Sequence, residues 1–298
     1  MNITIILQQL VNGLSLGSLY GLIAIGYTMV YGVIRLINFA HGDIMMVGTY
    51  FALFAATTFL LPWWAAFIVA IALAALLGVF IDKVAYKPLR NASRISSLIT
   101  AIGVSFLLEN LFLVLFGGVP RAFKIPQVFS GVVHLNGVII PIIALITPIV
   151  AIVCLLLLMQ ILQHTKYGIA MRALSLDMET TRIMGANVDA IIAFVFAIGS
   201  ALAAIGGIFW ALRYPSINPL MGIMPGLKAF AAAVLGGIGS VPGAALGGFI
   251  IGITEILVVA FLPSLAGYKD AFAFLLLIFV LLFKPTGIMG EDLEKGRF

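Results

Sequence analysis

Apolar residues run along this chain in blocks of about twenty, separated by short polar stretches. The blocks fall at 9–34, 39–60, 63–82, 97–116, 138–162, 189–212, 222–239, 243–262 and 270–284. An α-helix crosses the hydrocarbon of a bilayer in about 20 residues, so each block predicts a transmembrane helix. The first is long, with a break expected near Asn38. The seventh is short enough to be re-entrant, so the count is eight or nine. None of the blocks alternates apolar and polar residues as the strands of a membrane barrel do, so the expected class is an all-α polytopic membrane protein.

Composition supports this. Of 298 residues, 63% are hydrophobic and 9% charged, against about 25% charged in soluble domains. A soluble fold of this length could not hide that much apolar surface, and disordered or disulfide-rich classes are excluded with it. The one cysteine, Cys154, lies inside an apolar block. No segment is long enough for a second soluble domain, so residues 1–298 are expected to form a single transmembrane domain. The segment Met1–Gly17 has no Lys or Arg and no small-residue cleavage site, unlike a cleavable signal peptide.

Charge placement predicts the orientation. Arg35, Lys83, Lys87, Arg90, Arg94, Lys166, Arg172, Arg182, Lys284, Lys295 and Arg297 fall on one side of the spans. Arg121, Lys124, Arg213 and Lys269, with Lys228 at a span edge, fall on the other. Cytoplasmic loops carry the excess of Lys and Arg. This places the 163–188 loop and the C-terminus inside and, with nine spans, the N-terminus outside.

A faint internal repeat appears at an offset of 180 residues. Leu22, Ala24, Ile25, Gly26, Ile37, Asn38, Gly42 and Ala52 match Leu202, Ala204, Ile205, Gly206, Ile217, Asn218, Gly222 and Ala232. Under the expected topology the copies run in opposite directions, as in transporters built from inverted repeats. Each copy interrupts its helix at an Asn, and a break at membrane depth is tolerated only where it is buried in protein or lines a cavity. Glycines four apart, at 13, 17 and 21, at 243 and 247, and at 248 and 252, predict close helix contacts.

Enzymatic chemistry is poorly represented. No GxxxxGK[ST] phosphate loop is present, and His41, His134 and His164 are scattered without metal-site spacing. Four polar features remain. His41-Gly42-Asp43 is either an ordinary helix start, with Asp43 complementing the dipole, or part of a gate beside Asn38. Glu109 and Glu255 lie inside apolar spans, where a carboxylate costs at least about 2.5 kcal/mol. Each pairs with a group such as Asn110 or Lys228, or lines a path. The 163–188 loop has the pattern of one or two short amphipathic helices, with Ile169, Ala170, Ala173, Leu174 and Met178 on one side. It either lies on the membrane surface or docks into a groove on a soluble partner.

Three motifs, in order along nearly the whole chain, resemble one family. They are Gly21–Tyr50 around Ile37-Asn38-Phe39-Ala40-His41-Gly42-Asp43, the run Gly168-Ile169-Ala170-Met171-Arg172-Ala173 with Asp177 and Met184-Gly185, and Phe230–Ser240 followed by Pro242-Gly243-Ala244. The chain is similar to the H-type permeases of bacterial high-affinity branched-chain amino-acid importers. The resemblance implies a type II ABC-importer permease of the vitamin-B12 and ribose permease architecture in the inner membrane. It implies a related M-type permease, two cytoplasmic ATPases and a periplasmic amino-acid-binding protein as partners. ATP and Mg would be bound by the ATPases, with no cofactor or nucleic acid on this chain. The expected coupling residues are Gly168, Arg172, Ala173, Asp177, Glu179, Arg182 and Gly185. Those expected on the substrate path are Asn38, His41, Asp43, Glu109, Asn218 and Glu255. A stand-alone ion-coupled carrier or channel is the rival, and urea or short amides are rival cargo within the family.

Overall fold

The computed structural model describes residues 3–90, 92–135 and 137–290. The expected Lys295 and Arg297 of the tail lie outside this range. The helices are α1 (Ile3–Ile34), α2 (His41–Thr57), α3 (Trp63–Ile81), α4 (Arg94–Phe116), α5 (Ile142–His164), α6 (Lys166–Leu176), α7 (Met178–Ile183), α8 (Val188–Arg213), α9 (Ile223–Gly236), α10 (Val241–Phe261) and α11 (Lys269–Phe283). A π-helical turn, Asp82–Tyr86, and a 3-10 turn, Lys87–Leu89, prolong α3.

Among the described residues, seven helical stretches are long and apolar enough to cross a membrane, rather than eight or nine. The difference lies in two helices. α2 has 17 residues and α9 has 14, or about 25 and 21 Å at 1.5 Å per residue, short of a hydrocarbon core of about 30 Å. Each follows one of the two Asn breaks. The expected span at 138–162 also starts late. Val138-Ile139-Ile140 is a β-branched run, and β3 (Val138–Pro141) pairs antiparallel with β2 (Val132–Leu135), with Gly137 at φ 85° beside the turn. The second pair, β1 (Arg121–Ala122) with β4 (Ser216–Ile217), is also antiparallel. All four strands lie outside the long apolar helices.

The chain forms two compact units. One contains residues 1–28, 125–155 and 227–298, and the other 29–124 and 156–226. The repeat explains this interleaving. Elements recur at an offset of about 180 residues, α1, α2 and α3 matching α8, α9 and α10. In each unit the long first helix of one copy packs with later helices of the other. In the first unit α1 lies against α10 through the predicted glycines: a Cβ on Gly17 would come 2.7 Å from the Phe249 Cα, and a Cβ on Gly252 would run into the backbone of Gly17. In the second unit α8 lies against α2 and α3, and a Cβ on Gly48 would meet the Ala204 methyl at 2.6 Å. Small residues bring these backbones close because packing, not water exclusion, drives helix association in lipid.

Candidate functional site

The two helix breaks share a backbone turn at their Asn. The Asn38 carbonyl accepts a hydrogen bond from the His41 N–H at 3.1 Å, and the Asn218 carbonyl accepts one from the Met221 N–H at 3.1 Å. Gly42 and Gly222, equivalent in the repeat, meet in the second unit, and a Cβ on either would strike the other's carbonyl oxygen. The side chains diverge. Tyr86, turned inward by the π-helical turn, donates its hydroxyl to Asn38 Oδ1 at 2.9 Å. Asn218 Oδ1 accepts from the Leu220 N–H at 2.9 Å, a local turn bond of the kind Asn favours. Asn38 and His41 are buried, whereas Asn218 is partly exposed.

One face of α2 carries Asp43, Tyr50 and Phe54, and one face of α4 carries Ser105, Glu109, Phe112 and Phe116. These faces meet. Ser105 Oγ donates to Asp43 Oδ2, and the Glu109 carboxyl lies beside that of Asp43. Sequence reasoning named both acids separately, with Asn110 as one expected partner for Glu109. Asn110 instead donates to the Phe106 carbonyl of its own helix, 2.8 Å away. Further along, the Tyr50 ring stacks on Phe116 at 5.4 Å and meets Phe112 edge-on at 5.2 Å. The Arg121 guanidinium lies 5.5 Å from the Phe116 centroid and 6.0 Å from that of Phe54. The Tyr50 hydroxyl is fully buried and has no hydrogen-bond partner among the described residues.

Glu255 belongs to a different cluster, in the first unit. Its Oε2 accepts from Lys228 Nζ at 2.8 Å and from the Tyr20 hydroxyl at 2.9 Å, while its Oε1 lies 3.1 Å from Lys269 Nζ. Lys228 also donates to the Tyr20 hydroxyl at 3.1 Å. It reaches Asp270 Oδ1 at 2.6 Å, a charge contact rather than an aligned hydrogen bond. The expected Lys228 partner is therefore present. Lys228 is only 4% exposed, so it is not a loop charge of the kind that sets orientation.

The 163–188 loop folds as two helices because it contains their caps. Thr165 Oγ1 accepts from the Gly168 N–H at 3.1 Å and starts α6, and Asn187 Oδ1 accepts from the Ala190 N–H at 3.1 Å and starts α8. Asp177 caps α7 through Oδ1, and the Thr180 hydroxyl and N–H hold its carboxyl below the usual carboxylate range. Gly185, at φ 87°, turns the chain after α7.

The expected stripe divides between two faces. Gly168, Met171 and Leu174 face inward, and a Cβ on Gly168 would strike the Ile161 and Leu162 carbonyls. Gly168 is thus a packing residue and not a contact surface. Arg172, Ala173, Asp177, Glu179, Arg182 and Gly185 are exposed. So are Ile169 (58%), Leu176 (77%), Ile183 (78%) and Met184 (81%), the last three not anticipated as part of the surface. Their signal was present as apolar residues bracketing the charges.

Comparison with known proteins matches this arrangement to one family. Residues 9–281 match the model described as branched-chain amino acid transport system / permease component. The high-affinity branched-chain amino acid transport system permease protein BraD of Pseudomonas aeruginosa is 44% identical over 303 residues, covering 97% of each chain. LivH of Escherichia coli K12 is 44% identical over 304 residues, and LivH of Salmonella typhimurium 45%, each again covering 97% of both chains. Among solved structures, PsaBC from Streptococcus pneumoniae in complex with Fab aligns with a TM-score of 0.49 and 14% identity, over 92% of this chain and 91% of that one. A multi-span helical chain matched over 97% of its length by such permeases belongs to the family of branched-chain amino acid transport system permease components.

Proposed function

We propose that this chain is the membrane subunit of an ABC importer that carries branched-chain amino acids into the bacterial cytoplasm, driven by ATP hydrolysis on partner subunits. The observation that carries the reading is 44–45% identity over 97% of the chain to permeases of that transport. A related M-type permease, two ATPases and a periplasmic binding protein complete the machine. The absence of a phosphate loop from the sequence fits an energy source on other chains. The α6–α7 segment and the C-terminus face the cytoplasm and the N-terminus the periplasm. With α2 and α9 counted as crossings together with the break residues before them, and Lys228 removed from the loop charges, eleven Lys and Arg stand on the cytoplasmic side against four. Asn38, His41, Asp43, Glu109 and Asn218 belong to the substrate path. Glu255, held in a charge-balanced cluster, stabilises the fold instead.

Uptake of labelled leucine into vesicles tests this. Vesicles holding the complete complex should accumulate leucine with ATP, without competition from urea or short amides. Vesicles holding this chain alone should accumulate none, and uptake there would support the ion-coupled carrier. Ala173→Glu tests the docking surface. Ala173 is exposed on the face shared with Ile169 and Leu176, and an unpaired charge closed into an interface costs roughly 2–5 kcal/mol. The variant should insert normally and bind the ATPases roughly thirtyfold more weakly or worse. Wild-type affinity in a pull-down titration would return the segment to a surface helix.

A further inference from the structure

We propose that Arg35 is a positioning residue for transport, tying the partner-facing helices to the helix break before α2. The proposal rests on the reading of α6–α7 as the ATPase-docking segment. Arg35 ends α1: its N–H donates to the Tyr31 carbonyl at 2.7 Å, and its φ is 54°. That left-handed conformation is the usual end of a helix, and glycine adopts it without strain whereas a residue with a Cβ does not. Backbone strain of this kind persists where the surrounding structure holds it in place. Here the side chain supplies the hold. Arg35 Nη2 donates to the Ser175 carbonyl at 3.0 Å, 140 residues away in sequence. Ser175 is in the last turn of α6, where carbonyls have no partner within the helix.

The tie leads directly to the break. Three residues after Arg35 stands Asn38, fixed by the Tyr86 hydroxyl, and its carbonyl bonds the first residue of α2. A cleft of about 310 Å³, lined by Arg35, Leu36, Asp82, Tyr86, Arg90 and Met178, separates this stretch from α7. The Arg35 side chain lines this cleft and reaches α6, the helix before α7. The far side of the same segment is also tied down, since Arg90 and Lys87 both pair with Asp189 at the start of α8, and Arg90 forks onto Asp82 at 2.7 and 2.9 Å. A push on α6 would therefore reach the Asn38 turn directly through the Arg35 side chain, beside the packing of α6 on α8, where the Tyr167 ring lies 4.8 Å from that of Phe194.

The test uses the reconstituted complex with its ATPases and binding protein. Arg35→Gly removes the guanidinium and suits φ 54°, and Arg35→Asn does the same with a residue that tolerates that conformation. Both should assemble with wild-type ATPase stoichiometry and continue to hydrolyse ATP. Leucine moved per ATP should fall roughly tenfold, within the range usual for coupling between sites. Arg35→Lys, which can reach a carbonyl with a point charge, should lie between. Wild-type leucine per ATP in both Gly and Asn variants would overturn the proposal. So would loss of ATPase association in them, because Arg35 would then belong to the docking surface itself. If the unmodified chain failed to bind the ATPases at all, the docking reading would fail, and that result is seen before any Arg35 variant is made.

Discussion

The cluster around Glu255 and the cluster around Asp43 are both buried in helices of an almost uncharged chain, and they are balanced differently. Glu255 and Asp270 face Lys228 and Lys269, and the Tyr20 hydroxyl accepts from one charge and donates to another. Every sign is answered. Asp43 faces a hydroxyl and a second carboxyl. Desolvating charges is tolerable when opposite signs and hydrogen bonds replace the lost water, and costly otherwise. The first cluster has the form of a fastening among α1, α9, α10 and the start of α11. The second is kept at some cost in stability, at the N-terminal end of the helix that follows a break. Groups retained against stability inside a membrane mark substrate or proton routes more often than structural sites.

The largest effect should come from breaking the balanced cluster. Lys228→Met leaves Glu255 buried with only Lys269, which is half exposed, to answer it. Removing one partner of a buried pair costs about 3–5 kcal/mol, so the variant should lose much of its yield of folded protein and unfold at a clearly lower temperature in detergent. Lys228→Met with Glu255→Gln removes both charges and leaves an amide for the Tyr20 hydroxyl. It should recover most of the stability and transport leucine. A stable double variant that does not transport would move this cluster onto the path and erase the contrast.

The unbalanced cluster should behave the other way. Asp43→Asn and Glu109→Gln keep the shape and the capacity for a hydrogen bond, so unfolding temperatures should change little, by about 1 kcal/mol or less. Uptake by the reconstituted complex should fall by roughly tenfold, equal to about 1.4 kcal/mol in the transport barrier. Lower stability with unchanged uptake per folded molecule would make the acid pair structural.

How far each region was legible in the sequence follows from the range of its interactions. The long helices were legible because apolar blocks in lipid have few alternatives. The caps at Thr165, Asp177 and Asn187 act within three residues. The Lys228–Glu255 pair was foreseeable, since an acid and a base in neighbouring apolar spans gain by meeting. The Asp43–Glu109 pair was not, because nothing local draws two acids together: the bond to Ser105 closes over 62 residues and depends on how α2 and α4 pack. Arg35 was counted as a loop charge, since neither its left-handed backbone nor its reach to Ser175 leaves a mark in sequence. The repeat was legible as eight identities. The exchange of helices between the two units was not, because identities show which segments are alike and not which segments pack together.

The smallest effect tests the contrast most finely. Tyr50 lies seven residues after Asp43 on the same face of α2, packed among Phe54, Phe112 and Phe116, with its hydroxyl buried and without a hydrogen-bond partner among the described residues. A buried hydroxyl without a hydrogen bond is a cost, about 1–3 kcal/mol by mutational measures. If the ring alone matters, Tyr50→Phe relieves that cost while preserving every aromatic contact. The variant should then unfold at the same or a slightly higher temperature, with uptake unchanged. If the hydroxyl serves the route proposed to pass Asp43 and Glu109, the same variant should be as stable or more so and yet transport more slowly, by a factor of a few. The expected result is the second, because a hydroxyl that lowers stability and still sits on the acid-bearing face fits a group kept for a transient partner. Unchanged uptake with raised stability would confine the functional part of the face to Asp43, Ser105 and Glu109, and leave the aromatic stack as packing.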